Sequence, residues 1–164
     1  MTFATPVAIP GAVSISLDPT CEPESFYADG VEYYTINNNQ GYDGDLELAM
    51  IPEDFRKDIL METADDNNVI IENSNSETGS FALLFEFDGD VRKIKHLLYN
   101  CSASRPSIES STNEEDKEVK TETLTVKARP LVNGYVKAKT RDTTSAETYN
   151  NWYSEVYKPV VGTA

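Results

Sequence analysis

His96 is the lone histidine of the chain, and Cys21 and Cys101 are its two cysteines. With 28 acidic side chains, they are the residues best able to do chemistry. A histidine base needs a nucleophile beside it and an acid to orient it. No G-x-S-x-G elbow or comparable motif supplies the nucleophile. His96 stands between Lys95 and Leu97 in a strand-like stretch, so it reads as a structural side chain. Cys101 falls within a predicted strand over 99–103, a common place for a small core residue, and Cys21 reads as an exposed loop thiol. Two distant thiols without C-x-x-C spacing make neither a zinc site nor a disulfide framework, and they suit a reducing compartment. The acids do not form a calcium loop: an EF-hand starting at Asn39 puts Gly41 third and Met50 twelfth, where carboxylates are needed. Asp65-Asp66 and Asp88-Gly89-Asp90 are turn chemistry. No carboxylate pair is singled out by spacing for glycoside hydrolysis, and no glycine-rich loop is built to cradle phosphate. The expectation is a protein that is not an enzyme and holds no metal or cofactor.

Composition narrows the partners. The net charge is −14 with a pI near 4.4. Such a surface repels phosphate backbones and anionic lipid, so neither specific nucleic-acid binding nor membrane docking is expected. The N-terminus lacks the basic and apolar regions of a signal peptide, and no apolar run is long enough for a membrane span. The 164 residues suit one domain over 1–164.

The elements follow from periodicity. Val7, Ile9, Gly11, Val13, Ile15 and Leu17 alternate with small and polar residues, predicting a strand that Asp18-Pro19 closes. Pro10 marks an edge or bulge. Residues 20–25 read as a loop, 31–36 as a strand and 37–41 (NNNQG) as a polar tip. Leu46, Leu48 and Met50 then share one face, with Asp45, Glu47 and Ala49 opposite. Pro52 followed by Glu53 and Asp54 opens a short helix presenting Phe55, Ile59 and Leu60, ending near residue 63. A turn at 64–68 leads to a short strand over 69–72. Phe81, Leu83, Phe85 and Phe87 alternate into a core, and a return over 91–103 makes a hairpin. Residues 104–119 form a charged, serine-rich connection. Leu124, Val126 and Ala128 begin a second hairpin, turned at Asn133-Gly134 and returning over 135–140. A capping box from Thr144 to Glu147 predicts a short C-terminal helix burying Tyr149, Trp152 and Val156. The expected class is mainly β: an antiparallel two-sheet sandwich or partly closed barrel with one packed helix, and a short C-terminal helix besides.

The phrases TPVAIPGAVSISLDP (5–19), FYADGVEYYTINNNQGYDGDLELAMIPEDFRKDIL (26–60), FALLFEFDGDVRKIKHLLYNCSASRPS (81–107), TETLTVKARP (121–130), VKAKT (136–140) and TYNNWYSEVY (148–157) occur in this order. The ordered set resembles the phi-thirteen-type family of major tail proteins, the tail-tube subunits of long-tailed phages with non-contractile tails. Relative to that family the chain starts late, and an N-terminal arm is expected to be missing. The resemblance implies a fold similar to tail-tube and type VI secretion tube subunits. It implies hexameric rings joined edge to edge into a β-barrel and stacked around a tape-measure protein, with tail terminator and distal tail proteins as further partners. The chain would be made in the bacterial host cytoplasm and reside in the virion, and DNA would pass through without specific binding.

Within that reading, Asp43, Asp45, Glu47, Glu86, Asp88 and Asp90 are the candidate lumen-facing acids. Asn37, Asn38, Asn39 and Gln40 of the tip, with Glu114, Glu115 and Asp116 of the connection, are the candidate ring-stacking residues. The competing reading is a non-assembling β-sandwich that binds carbohydrate or protein, with Tyr27, Tyr42 and Trp152 as aromatic platforms.

Overall fold

The computed structural model describes residues 2–28, 31–89, 93–107 and 120–160, with the backbone alone for 22–28 and 31–37. Alternating sequence produces two long antiparallel strands, β1 (Ala12–Ala28) and β2 (Val31–Leu48). Helix α1 (Glu53–Asp58) follows, then a two-stranded sheet of β3 (Thr63–Ala64) and β4 (Ile70–Ile71). Next come β5 (Ser80–Glu86), β6 (Lys95–Ala103), β7 (Glu122–Ala128), β8 (Lys137–Lys139) and α2 (Ala146–Asn150). The main sheet runs β1-β2-β7-β6-β5, with β8 paired to β6. Every neighbouring pair is antiparallel, and the sheet curls into a half-barrel. The expected class, mainly antiparallel β with a packed helix and a short C-terminal one, is the class observed.

One core fills the concave side. Leu48, Leu124, Val126, Ala128 and Cys101 are almost fully buried there, with Leu60 from just beyond α1 and partly buried Phe55, Phe81 and Phe85 around them. A second core lies on the opposite face of β5 and β6. Leu97 and Tyr99 meet Trp152 and Val156 there, with Ala82 and Leu84 alongside. Among the described residues, the sheet is therefore covered on both faces at β5-β6 and on one face only at β1-β2-β7.

Several local expectations are corrected. Residues 20–25 are strand: Pro19 and Pro23 sit on an edge strand with no outer neighbour among the described residues, so the N–H that each proline lacks leaves no ladder acceptor unmet there. Residues 37–41 are no tip. Thr20 pairs with Gly41 and Cys21 with Asn39, so Gln40 is the extra residue of a bulge inside β2. Asn39 Oδ1 accepts from Gly41 N at 3.1 Å, a turn-like bond formed in mid-strand. The N-terminal alternation yields no strand before Ala12, so Val7 is exposed outside the sheet, and Val13 is exposed where a register shift between Ala12 and Ser14 breaks the pattern. Met50 is exposed because β2 ends at Leu48. Phe87, just past β5, is half-exposed rather than core. Helix α1 stops at Asp58, and Met61 adopts φ +56°, turning the chain into β3. The Asn133-Gly134 turn forms, but β7 and β8 do not pair with each other. Pro130 ends the ladder, and both strands add to β6 instead. The C-terminal helix is capped by Ser145, whose Oγ accepts from Thr148 N, while Thr144 Oγ1 accepts from Arg141 N.

Candidate functional site

The open face of the sheet is built by period-two alternation on β2. Leu46 and Leu48 point into the core, so Asp43, Asp45 and Glu47 stand on the uncovered face. Across the strands, Ser14 pairs with Glu47, Ser16 with Asp45, Thr125 with Asp45 and Thr123 with Glu47. Hydroxyls hold the carboxylates in place. Ser14 Oγ and Thr121 Oγ1 donate to Glu47 at 2.9 and 2.6 Å, and Thr125 Oγ1 donates to Asp45 at 2.9 Å. The two hydrogen bonds, from Thr121 first, lower the Glu47 pKa against a small opposing effect of burial. Asp43 is gripped by Arg129, and its pKa is likewise lowered.

The other predicted acids lie elsewhere. Glu86 is on the same sheet face but at β5, where Tyr153 of the C-terminal segment donates to it at 3.1 Å and Lys93 pairs with it at 3.5 Å. Asp88 is in the turn after β5, fully exposed and 3.7 Å from Lys93. Asp90, Glu114, Glu115 and Asp116 lie outside the described residues. Asn37, Asn38, Asn39 and Gln40 belong to β2, with Asn38 and Asn39 exposed.

Beyond the bulge, residues 21–28 and 31–39 pair, among the described residues, only with each other, since β2 meets β7 over Tyr42–Leu48. They form a two-stranded arm of about 25–30 Å. Where the arm leaves the sheet, the half-barrel opens into an apolar mouth of about 170 Å³. Ile15 and Leu17 line one side and Phe85 and Phe87 the other. His96 stacks on Phe85 with centroids 5.1 Å apart, so its ring packs in the mouth wall. Lys137 Nζ sits 4.4 Å above the Tyr42 ring and donates to its hydroxyl.

No family model, curated protein or solved structure matches the chain.

Cys101 is fully buried, and desolvation pushes its thiol up to about 12, so it packs rather than reacts. Cys21 is exposed, but on β1 rather than in a loop. Trp152 is only 3% exposed and stacks on Tyr157, so it is no platform for a ligand. Among the described residues, no three of His, Cys, Asp and Glu converge as a metal site, and no helix is long and apolar enough to cross a membrane.

Sequence reasoning missed three positioning residues. Lys95 is buried, with Nζ 4.1 Å from the Tyr149 ring centroid and 4.8 Å from that of Tyr153, and it donates to Tyr149 O at 3.0 Å. This cation–π contact fastens the C-terminal segment to β6. Glu122 binds Arg56 and accepts from Ile51 N at 2.6 Å, tying α1 to β7. Arg129 fixes the root of the arm. The Tyr-rich stretch 149–157 was a signal for the first. The other two depend on long-range register, which one sequence does not display.

Proposed function

We propose that this chain is the ring-forming subunit of a phage tail tube, as its likeness to phi-thirteen-type major tail proteins suggests. One observation carries the reading: the curled sheet ends on two strands, β1 and β5, neither of which has a strand on its outer side among the described residues. Open edges favour association, and a closed ring of copies removes them. Pro19 just before the arm and Pro23 within it blunt the β1 edge, which leaves residues 12–18 to face the seven residues of β5 in a neighbour. Along the antiparallel path β1 and β5 run in the same direction. Copies related by rotation about an axis along the strands therefore meet in a parallel seam, with evenly spaced, slanted hydrogen bonds.

In this reading six copies make a ring, rings stack around a tape-measure protein, and the tube is part of the virion. Asp43, Asp45 and Glu47 face the lumen, where carboxylates give a DNA duplex no cation to exchange for its counterions. Transit then needs no catalytic residue. Negative-stain electron microscopy of concentrated protein, with native mass spectrometry, tests the reading. Sixfold rings or striated tubes are expected. A particle that stays monomeric under crowding overturns it.

A further inference from the structure

A recess of about 390 Å³ opens where the chain leaves β6, between β7 and the segment that leads into β5. Its lining runs against the composition of the chain. The protein holds 28 acids and 14 bases, yet among the described residues Lys127, Arg105 and several hydroxyls line the recess, and no carboxylate does. Ser102 and Lys127 face each other across β6 and β7. They stand on the uncovered face, because Ala103 and Val126 beside them turn into the core. Thr78 adds a third side from just before β5. The donors here outnumber the acceptors. Ser104 Oγ and Thr125 Oγ1 are engaged within the protein, by Thr125 O at 3.4 Å and Asp45 at 2.9 Å. Among the described residues, Lys127 Nζ and the hydroxyls of Ser102 and Thr78 make no hydrogen bond or ion pair. Arg105 Nη2 donates to Asn73 O at 3.1 Å and to Ser76 O at 3.5 Å, which pins the guanidinium. Glu72 Oε1 lies 3.0 Å from Arg105 Nε but off its N–H direction, so this buried N–H has no aligned acceptor. A bound oxyanion would satisfy a buried donor, a free ammonium and two free hydroxyls gathered at one recess.

We infer that this recess binds a small phosphate-type oxyanion, as inorganic phosphate or a phosphomonoester. The site is complete within one copy, and it stands whether or not copies form a ring. A tetrahedral group offers acceptors in several directions, which suits donors arriving from β6, β7 and the segment before β5. A flat carboxylate offers its acceptors in one plane. Lys127 supplies a point charge, and Arg105, already held by two carbonyls, loses little further freedom in donating. The nearest acids on the open face have partners of their own: Asp43, opposite Lys127, is held by Arg129, and Asp45 accepts from Thr125. Those carboxylates, with Glu47, keep a polyanion at a distance, so the occupant is a small ion rather than a duplex. Once bound, the ion joins three segments and stabilises the folded chain by mass action.

Titration of the whole chain with inorganic phosphate, followed by amide chemical shifts at constant pH and ionic strength, tests the site. Saturable shifts are expected at Thr78, Ser102, Arg105 and Lys127. Lys127→Gln should weaken the fitted affinity about tenfold. Lys127 is exposed, so this variant should stay folded by circular dichroism. Ser102→Ala, which removes a hydroxyl and no charge, should weaken it about threefold. Lys139→Gln, at an exposed lysine of β8, should leave it unchanged. Glycerol phosphate separates the two sources: tighter binding than inorganic phosphate names the phosphomonoester, and weaker binding names the free ion. Acetate or a short DNA duplex saturating the same amides as tightly overturns the ligand class. Shifts that grow linearly and spread over the surface, as exclusion of phosphate from protein surface would give, overturn the site. An affinity unchanged in both Lys127→Gln and Ser102→Ala overturns it as well.

Discussion

Arg129 grips both carboxylate oxygens of Asp43, with Nη1 2.5 Å from Oδ1 and Nη2 3.1 Å from Oδ2. The pair spans β2 and the residue just past β7, directly below the bulge where the arm begins. A forked, two-point contact fixes direction as well as distance. It converts the end of the β2-β7 ladder into a rigid base for the arm.

Loss of this pair has a signed pH dependence. The hydrogen bond from Arg129, opposed by slight desolvation, holds the Asp43 carboxyl below its ordinary 3.8. A lowered folded value means the contribution is complete above the ordinary value and fades as pH falls through the lower one. Both side chains are about 40% exposed, so Asp43→Asn should cost no more than about 1 kcal/mol near neutral pH. Urea melts at neutral pH and at about pH 3 should show the wild-type advantage shrinking. A constant difference across pH would assign the effect to packing.

Gly41 cannot bear a side chain. Its φ is +114°, and a Cβ there would stand 1.8 Å from Ala128 O. Gly41→Ala should destabilise by about 2–4 kcal/mol through strain and forced separation of β2 from β7. Thermal unfolding measures the loss. Gly89, which has open space around it at φ +98°, is the control: Gly89→Ala should cost only about 1 kcal/mol.

The stretch that ends at Gly41 separates what is local in a sequence from what is not. The run NNNQG has turn composition, and it does make a turn-like bond from Gly41 N to Asn39. What makes it a bulge is the uninterrupted partner strand β1, a long-range fact. The alternation of Leu46 with Asp45 and Glu47, and of Leu124 with Thr123 and Thr125, was legible because a one-sided sheet demands it. The pairing of β8 with β6 was not, because Asn133-Gly134 makes the same turn whichever strand receives the chain. The acidic face was therefore readable residue by residue. The mouth, assembled from five strands and the chain just past β5, was not.

Glu122 anchors α1 through two different groups, the Ile51 backbone N–H and the Arg56 guanidinium, and Arg56 also lies 3.5 Å from Glu62. Arg56 is about 23% exposed, so removing Glu122 leaves a half-buried cation with one remote acid. Glu122→Ala should cost about 1–3 kcal/mol, and Glu122→Gln, which can still accept from Ile51 N, less. Equilibrium denaturation of the two variants separates the backbone contact from the ion pair. Equal losses would mean the charge alone matters.

The two thiols should differ sharply. Cys21 is exposed, whereas Cys101 is buried with its thiol pushed up to about 12 by desolvation. A thiol-reactive chromophore at about pH 8 should label one site per native chain and two after denaturation. Rapid native labelling of Cys101 would mean that the concave core opens easily.

Charge reversal on the open face separates lumen from exterior. Among the described residues, the side-chain hydrogen bonds of Asp45 and Glu47 are to hydroxyls, so Asp45→Lys with Glu47→Lys should leave the half-barrel folded. Wild-type tubes are expected to ignore duplex DNA. Reversed tubes should retain it in a salt-sensitive manner, because each lysine that meets a phosphate releases counterions. Micrographs locate the effect: DNA drawn into the bore supports a lumenal face, and DNA coating the outside of the tubes would turn the sheet around.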